Sequence, residues 1–274
     1  MEIQLIQQRL SPLSRQMLGE IQLHEEIDST NADALRQLKA GKVGNWLVLA
    51  KFQSAGRGRR GREWLSPKNG GIYLSLVRKF DLAANSLQAL SLVTALSLQQ
   101  ALEKLRVKQL ALKWPNDVLY KKKKLAGILL ELQKSAEACH LVFGVGINIA
   151  LPATTIRSID RAVTDITSIN TDQGSVEPIP DSNQIIAELI NAFTSNLEIY
   201  NEQGFAPFQA AWNQADCYVD CDIVIQSGET RTIGKSQGVD ESGGLILQSA
   251  NCTQSIHGGE IFPSVRELAN EAES

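Results

Sequence analysis

Two spacings of apolar residues alternate along the first two thirds of the chain. Short apolar runs bounded by polar or turn-forming residues are typical of strands, whereas apolar residues recurring every three or four positions indicate helices. The runs predict strands over residues 21–27, 45–52, 72–77, 110–120, 125–132 and 140–149. The helical spacing predicts helices over residues 32–40, 85–105, 182–200 and 205–212.

Two segments have no such pattern. Residues 1–20 alternate leucine with polar residues and are too short for a domain, so we expect one helix packed on the body or a mobile arm. Residues 150–181 are rich in Thr, Ser, Asp and Pro, which favours an irregular loop with at most one short strand.

After Asp216 the pattern changes to short strands separated by tight turns. Five such strands within about 50 residues are typical of a small barrel. We therefore predict an N-terminal segment (1–20), a larger domain (21–215) and a small barrel domain (216–274). The five strands are expected at residues 221–226, 230–239, 244–248, 252–257 and 260–262.

Composition limits the function classes. The 274 residues are 43% apolar and 21% charged, with a net charge of −3. A protein whose main partner is duplex nucleic acid is more often basic. No apolar run reaches the ~18 residues of a membrane span, and the N-terminus lacks the pattern of a signal peptide. We expect a cytoplasmic protein with neither DNA nor membrane as partner.

One loop departs from this mildly acidic average. Four arginines and three glycines occupy residues 56–62, and Trp64 follows. Glycine lets the backbone approach a ligand closely, and arginine offers paired donors to phosphate or carboxylate. The loop joins two predicted strands and is suited to a phosphate-bearing ligand, although a solvated basic loop or a nucleic-acid patch has the same composition.

Other polar residues interrupt the predicted elements. Residues 28–31 (Asp-Ser-Thr-Asn) begin a helix, either as a cap alone or as a cap whose hydroxyls also bind a polar ligand. Pro115 breaks a strand and is followed by Asn116 and Asp117. Lys124 ends a run of four lysines and starts a strand, where period-2 alternation predicts a face shared with Ala126 and Ile128.

Several catalytic classes lack their sequence signatures. No Ser-His-Asp or Cys-His set with a recognisable motif and no Walker A sequence is present, and His24, His140 and His257 lie in predicted strands. A zinc set of Cys217, Cys221, Cys252 and His257 is disfavoured by its spacing. The remaining cations, amides and hydroxyls suit nucleotidyl transfer, which depends on holding two anions together and neutralising charge.

Six motifs in order resemble the biotin protein ligases. They are Asp-Ser-Thr-Asn at 28–31, Gly-Arg-Gly-Arg-Arg-Gly-Arg at 56–62, Lys-Trp-Pro-Asn-Asp at 113–117, Lys-Leu-Ala-Gly-Ile-Leu at 124–129, Gly-Val-Gly-Ile-Asn at 144–148 and Gly-Gly-Glu-Ile at 258–261. The resemblance implies an α+β fold: a mixed sheet flanked by helices, like the class II tRNA-synthetase core, with a C-terminal SH3-like barrel. It also implies biotin, ATP and Mg²⁺ as ligands, and transfer of biotin through biotinyl-5′-AMP to a lysine of the biotin carboxyl carrier protein of acetyl-CoA carboxylase.

The resemblance also implies roles for single residues. Lys124, Arg59 and Arg62 would be catalytic, and Asp117 would orient or deprotonate the incoming amine or support the Mg²⁺ shell. Biotin would contact Ser29, Thr30, Asn31, Gln53, Gly56, Arg57, Gly58, Arg59, Lys124, Gly127 and Gly144. ATP or the adenylate would contact Arg57, Arg59, Arg60, Arg62, Trp64, Asn116, Lys124 and Asn148, and no residue is certain as a metal ligand.

Some alternatives stay open at this point. A lipoate ligase or octanoyl transferase shares the implied core, and a nucleic-acid-binding module would also use an arginine loop. Some biotin protein ligases carry an N-terminal helix-turn-helix domain, and residues 1–20 are too few for one, so we expect a ligase without repressor activity. Monomer and homodimer are equally compatible with the resemblance.

Overall fold

The computed structural model of the chain describes residues 1–80, 87–134, 139–176, 178–250 and 252–263, with the backbone alone for residues 87, 88 and 263. A seven-stranded sheet forms the centre of the larger domain, with strand order β1-β2-β3-β7-β6-β5-β4. The first pair is parallel and every other pair is antiparallel. The strands are β1 (Glu20–His24), β2 (Trp46–Ala50), β3 (Gly71–Phe80), β4 (Leu110–Lys113), β5 (Asp117–Tyr120), β6 (Lys123–Lys134) and β7 (Cys139–Asn148).

Helices cover both faces of this sheet. On one face, Ala34 and Leu38 of α3 (Thr30–Lys39) pack against Trp46, Val48 and Val77. The other face is covered by α4 (Leu87–Lys104), and α7 (Ser182–Gln203) packs on α4. This second face carries the main apolar core, which leaves the first face free beside α3 for polar groups.

The N-terminal segment is two short helices, where one helix or a mobile arm was predicted. They are α1 (Ile3–Arg9) and α2 (Pro12–Met17), and Ser11 caps the second while Pro12 takes its first position. Proline at that position fits a helix start but not a helix interior, so the chain breaks there. Both helices pack on α7, and the amides of Glu2 and Ser11 donate to Asn183 and Asn191 at 2.7 and 2.8 Å.

The prediction of an irregular loop with at most one short strand was wrong for part of residues 150–181. Two short helices lie there, α5 (Ala153–Ser158) and α6 (Ile166–Asp172). Asp165 caps α6 by accepting from the amide of Ser168 at 2.7 Å, and Ile166 and Ile169 are buried. The polar residues that suggested a loop are partly helix caps.

The C-terminal segment forms a separate sheet of five antiparallel strands, with order β11-β10-β9-β8-β12. After α8 (Gln209–Ala215), its strands are β8 (Asp222–Ser227), β9 (Thr230–Val239), β10 (Leu245–Gln248), β11 (Thr253–Ile256) and β12 (Glu260–Pro263). Ile223, Leu245 and Ile261 are buried in it. The predicted mixed sheet with flanking helices and a small C-terminal β-structure is confirmed. The exact domain boundaries stay a prediction.

The helices of the described residues include none that combines the length and apolar character needed to cross a membrane.

Candidate active site

A polar pocket lies at the N-terminus of α3, on the face of the sheet that the main core leaves free. Ser29 caps the helix by accepting from the amide of Ala32 at 3.4 Å. The amide and hydroxyl of Thr30 both donate to Oε1 of Gln53, at 2.8 and 3.1 Å, and Nε2 of Gln53 donates to Ser66 Oγ at 2.8 Å. The segment 28–31 therefore caps a helix and also lines a pocket.

Asn31 extends this polar group along the sheet. Its Oδ1 accepts from the hydroxyl of Ser75, and its Nδ2 donates to Glu131 Oε2 at 2.9 Å. A Cβ on Gly144 would lie 2.2 Å from Asn31 Oδ1, so only glycine lets the amide rest on the strand. Gly144 thus makes room for a protein side chain.

The orientation of Lys124 differs from the prediction. The register between β5 and β6 shifts after Val118, which pairs with Ala126 while Leu119 pairs with Lys124. The extra residue is a β-bulge, and a bulge reverses the alternation of side chains. Lys124 therefore shares a face with Gly127, whose added Cβ would lie 3.0 Å from Lys124 Nζ, instead of with Ala126 and Ile128.

The ammonium of Lys124 forms an ion pair with Asp117 Oδ1 at 2.7 Å, and both side chains are at most 16% exposed. Residue 117 begins β5, after the break at Pro115 that turns the predicted strand 110–120 into the hairpin β4–β5. Asn116 lies in this break, where its Oδ1 accepts from Arg59 Nη1 at 3.0 Å and its Nδ2 donates to the carbonyl of Ile128 at 2.8 Å. The break thus brings Asp117 to Lys124 and Asn116 to the arginine loop.

The indole ring of Trp64 packs against Gly127 and Gly146, which lie on the neighbouring strands β6 and β7. Added Cβ atoms on Gly127 and Gly146 would be 3.0 and 2.4 Å from its indole ring, and Lys124 Nζ is 5.3 Å from the ring centroid. The buried indole Nε1 has no hydrogen-bond partner among the described residues. The loop closes behind it, because the amide of Trp64 donates to the carbonyl of Gly56 at 2.9 Å.

The far side of the loop contacts the small C-terminal sheet. Arg62 Nη1 and Nη2 donate to the two carboxylate oxygens of Glu260, and Arg60 Nη1 is 3.6 Å from the same group. Arg59 Nη2 donates to the carbonyl of Gly259 at 3.2 Å, so this arginine bridges Asn116 of one sheet and the other sheet. The loop therefore lies between the two sheets, held by polar contacts on both sides.

Two cavities meet at the loop. The smaller, of about 50 Å³, contains the polar pocket of Ser29, Thr30, Asn31 and Gln53 with Gly127 and Gly144. The larger, of about 590 Å³, lies between the loop, residues 113–117 and residues 158–163. Both are lined by Gly58, Arg59, Trp64, Asn116 and Lys124. A ligand group in the small cavity and one in the large cavity would therefore meet beside these five residues.

Around the large cavity, burial and neighbouring charges shift the pKa values of the side chains in opposite directions. Burial lowers the pKa values of Arg59 and Lys113, against the attraction of Asp117. Burial also works to raise the pKa of Glu260, but the hydrogen bond from Arg62 and the charges of Arg62, Arg60 and Lys113 outweigh it and hold that pKa below its usual range. The wall is rich in cationic side chains, which is the charge that phosphate groups require.

Asn148 is directed at the backbone. It lines the large cavity, and its Nδ2 donates to the carbonyls of Thr164 and Lys124 at 3.0 and 3.4 Å. The amides of Lys124 and Thr164 in turn donate to the carbonyls of Ala162 and Lys124, both at 2.9 Å. Asn148 thus holds the wall formed by residues 158–163 against the start of β6, and its predicted contact with adenine stays a prediction.

The predicted site residues come together in two groups, except for Gly56, which lines neither cavity. Arg57 lines the small cavity only, and Arg60, Arg62, Asp117 and Asn148 line the large one only. Sequence reasoning missed Ser66, Ser75 and Glu131 and gave no role to Glu260. Period-2 alternation from Gly144 and Gly127 would have placed Ser75 and Glu131 on the site face once the pairing of the strands was known.

His24 and His140 lie in β1 and β7, and His257 follows β11. Burial lowers the pKa of His140, as is usual for a histidine packed in a core. Among the residues that the structure describes, no three His, Cys, Asp or Glu side chains come close enough to hold a metal ion.

The chain is similar to known proteins over most of its length. A model described as the biotin/lipoate A/B protein ligase family matches residues 23–148, and one described as the biotin protein ligase C-terminal domain matches residues 223–262. The bifunctional ligase/repressor BirA of Escherichia coli K12 is 33% identical over 89% of this chain and 74% of its own length. The biotin–[acetyl-CoA-carboxylase] ligase of Paracoccus denitrificans is 36% identical over 86% of this chain and 97% of its own.

Solved structures show the same similarity. The biotin protein ligase from Aquifex aeolicus in complex with biotin and ATP aligns with a TM-score of 0.74 at 29% identity. The alignment covers 89% of this chain and 97% of that one.

Proposed function

The chain belongs to the biotin protein ligases of the biotin/lipoate A/B protein ligase family, and from this premise we propose how its residues make biotinyl-5′-AMP and transfer the biotinyl group. The proposal rests on one observation: Lys124 and Arg59 line both cavities, so the two cavities meet at these residues. The small polar cavity suits the ureido ring of biotin, and the large cationic cavity suits a nucleoside triphosphate. The biotin carboxylate and the α-phosphate then meet at the shared wall.

The small cavity selects the acyl group. The ureido ring has one carbonyl acceptor and two N–H donors, and Ser29, Thr30 and Gln53 supply hydroxyl and amide groups that complement them. Thr30 and Gln53 already hydrogen-bond each other, so their orientations are fixed before the ligand enters. Gly127 and Gly144 leave space beside their strands for Trp64 and Asn31, which line this cavity.

Adenylation needs charge neutralisation more than it needs a protein nucleophile. A biotin carboxylate oxygen attacks the α-phosphorus of ATP, a new O–P bond forms, and the bond to pyrophosphate breaks so that pyrophosphate leaves with the electron pair. Lys124 and Arg59 lie where the two anions meet and stabilise the negative charge that develops there. Arg60 and Arg62 also line the large cavity, where their charges would neutralise the departing pyrophosphate.

In the second step a lysine amine of the acceptor attacks the acyl carbon, the C–O bond to AMP breaks, and AMP leaves. The amine must lose a proton in this step. We assign Asp117 as the group that orients or deprotonates the amine, since its carboxylate lines the large cavity and lies 2.7 Å from Lys124 Nζ. The acceptor is a lysine in the biotin carboxyl carrier domain of acetyl-CoA carboxylase, the enzyme that the Paracoccus relative's name refers to.

Mg²⁺ would accompany the ATP. Magnesium in nucleotide sites is usually held by phosphate oxygens with one or two carboxylates. The large cavity fits this arrangement, because Asp117 is a little-exposed carboxylate on its wall and the remaining ligands would come from the triphosphate. The ion would neutralise the β- and γ-phosphates, and the protein side chains would act at the α-phosphate.

The test is adenylate formation with two candidate acids. Purified protein is incubated with α-³²P-labelled ATP and Mg²⁺, with either biotin or lipoate, and the labelled adenylates are separated. Labelled biotinyl-AMP that disappears on addition of a biotin carboxyl carrier domain, but not of its Lys→Arg variant, is the expected result. Adenylate made with lipoate alone would overturn the assignment to biotin.

A further inference from the structure

Glu131 is a little-exposed carboxylate outside the residues given a role above. It lies on β6 two positions beyond Leu129 and four beyond Gly127, so it faces the same side of the sheet as the polar pocket. Its side chain is 20% exposed. Its two oxygens have partners on different elements: Oε2 accepts from Asn31 Nδ2 of α3, and Oε1 accepts from Arg57 Nη2 of the loop, both at 2.9 Å.

The hydrogen bonds continue from Glu131 through the pocket and return to the loop. Asn31 accepts from Ser75, whose hydroxyl oxygen lies 2.8 Å from the Thr30 hydroxyl, and the amide of Thr30 donates to Gln53 at 2.8 Å. Gln53 donates to Ser66, whose hydroxyl donates to the carbonyl of Trp64 at 3.0 Å. The circuit therefore starts at Arg57 near the beginning of the loop and ends at Trp64, two positions after its last residue. Of the side chains between these two, Asn31, Thr30 and Gln53 also line the small cavity.

We propose that Glu131 is a positioning residue. By its hydrogen bonds to Arg57 and Asn31 it holds the arginine loop (residues 56–62) against the small cavity and keeps the loop closed over the acyl-adenylate. We call this contact the latch. The proposal rests on the proposed function for the nature of the ligand, but the latch is a property of the chain alone. Water that reached the mixed anhydride would attack its acyl carbon and release biotin and AMP. A closed loop excludes that water, and an unlatched loop admits it.

A carboxylate suits this position better than an amide. Both oxygens of Glu131 accept from N–H groups, one of Asn31 and one of Arg57. A glutamine has one acceptor oxygen, and its NH₂ group would face a donor. Glu131→Gln can therefore keep one of the two partners but not both, and it loses the charge that strengthens the bond to the arginine.

The first experiment compares wild-type protein, Glu131→Gln, Arg57→Ala and the double variant. It measures the KM for biotin in ATP–pyrophosphate exchange, the release of AMP without acceptor, and single-turnover transfer from preformed adenylate. We expect Glu131→Gln to raise the KM and the AMP leak by about tenfold, as for loss of one charge-assisted hydrogen bond. Transfer from bound adenylate should be unchanged, and the double variant should leak no faster than Arg57→Ala, because both changes break the same contact.

Glu188→Gln is the matched control. Glu188 is 23% exposed and pairs with Lys104 at 2.7 Å, an ion pair of similar burial between α7 and α4. This variant should match the wild type in all three assays. Two results would overturn the latch. One is a rate of AMP release in the double variant that equals the product of the two single effects, and the other is a wild-type rate of AMP release in Glu131→Gln.

The second experiment needs no substrate. Trypsin is added to the ligand-free proteins, and cleavage after Arg59 and Arg60 is followed by mass spectrometry. The latch predicts several-fold faster cleavage in Glu131→Gln than in the wild type and Glu188→Gln, and equal rates would contradict it. If Glu131→Gln does not fold, Arg57→Gln breaks the same pair from the exposed loop. Faster cleavage together with no adenylate in the wild type would reject the proposed function and retain the latch.

Discussion

The ammonium of Lys124 lies 2.7 Å from the carboxylate of Asp117, in a place where neither side chain is more than 16% exposed. A bulge in β6 turns the lysine toward this carboxylate, and a break after β4 places the carboxylate there. Lys124 lines both cavities, and Asp117 lines the large one. Substituting each partner in turn separates the two proposed steps.

Replacing the lysine should impair the first step most. Lys124→Gln removes the cation from the point where carboxylate and α-phosphate meet, so we expect biotin-dependent ATP–pyrophosphate exchange to fall by about 10²–10³-fold. Lys121→Gln is the control, since Lys121 lies at the exposed tip of the same hairpin and pairs with Asp172. If the exchange rate of Lys124→Gln were within a fewfold of the wild-type rate, this lysine would have no role in the adenylation step.

Replacing the aspartate should impair the second step most. Asp117→Asn keeps the shape but cannot take a proton from the acceptor amine, so we expect single-turnover transfer from preformed adenylate to slow by about 10–100-fold. Adenylation should change much less. Normal rates in both steps would exclude a role for Asp117 in transfer, and a loss confined to adenylation would assign it to the Mg²⁺ shell.

Gly144→Ala should disturb the small cavity without replacing any of its polar groups. The added Cβ would lie 2.2 Å from Asn31 Oδ1, which is itself held by Ser75, so the amide must move. Losing one or two of its hydrogen bonds should raise the KM for biotin by about tenfold. Ser75→Ala is the companion variant, because it frees Asn31 without a clash and should raise the KM less. An unchanged KM in Gly144→Ala would show that Asn31 is not part of the pocket.

The buried carboxylate of Asp216 should make stability depend on pH. Burial raises its pKa to about 6, so the folded chain keeps this proton at pH values where the unfolded chain has lost it. Its contribution to the free energy of unfolding therefore falls as pH rises from about 4 to about 6, by on the order of 1–3 kcal/mol. Asp216→Asn should remove that fall.

Urea denaturation at pH 4.5 and pH 7.5 checks this expectation. The gain in stability of Asp216→Asn over the wild type should be larger at pH 7.5. Asp222→Asn, an exposed carboxylate at the start of β8, is the control. An equal difference at both pH values would mean that Asp216 keeps its ordinary titration in the folded chain.

Much of the fold was predictable because its signals are local. Alternation and helical spacing located β3, α4 and α7 to within a few residues, and the turns of the small sheet were marked by glycine. The site was predictable as a set of motifs for a related reason, since the loop 56–62 and Lys124 have compositions that a packed core would not contain. The two helices within residues 150–181 were missed because Ser, Thr and Asp serve both loops and helix caps.

The sequence by itself determined most of the elements, the family and the set of candidate site side chains. Only the tertiary structure decided which way those side chains face and which of them meet. A single-residue bulge reverses the face of Lys124, and no local pattern marks it, because it depends on how β6 pairs with β5. Asn31 and Glu131 are 100 residues apart in the chain, and their contact exists only because α3 packs on the sheet that contains β6. Such contacts follow from the packing of whole elements, and a local sequence does not encode them.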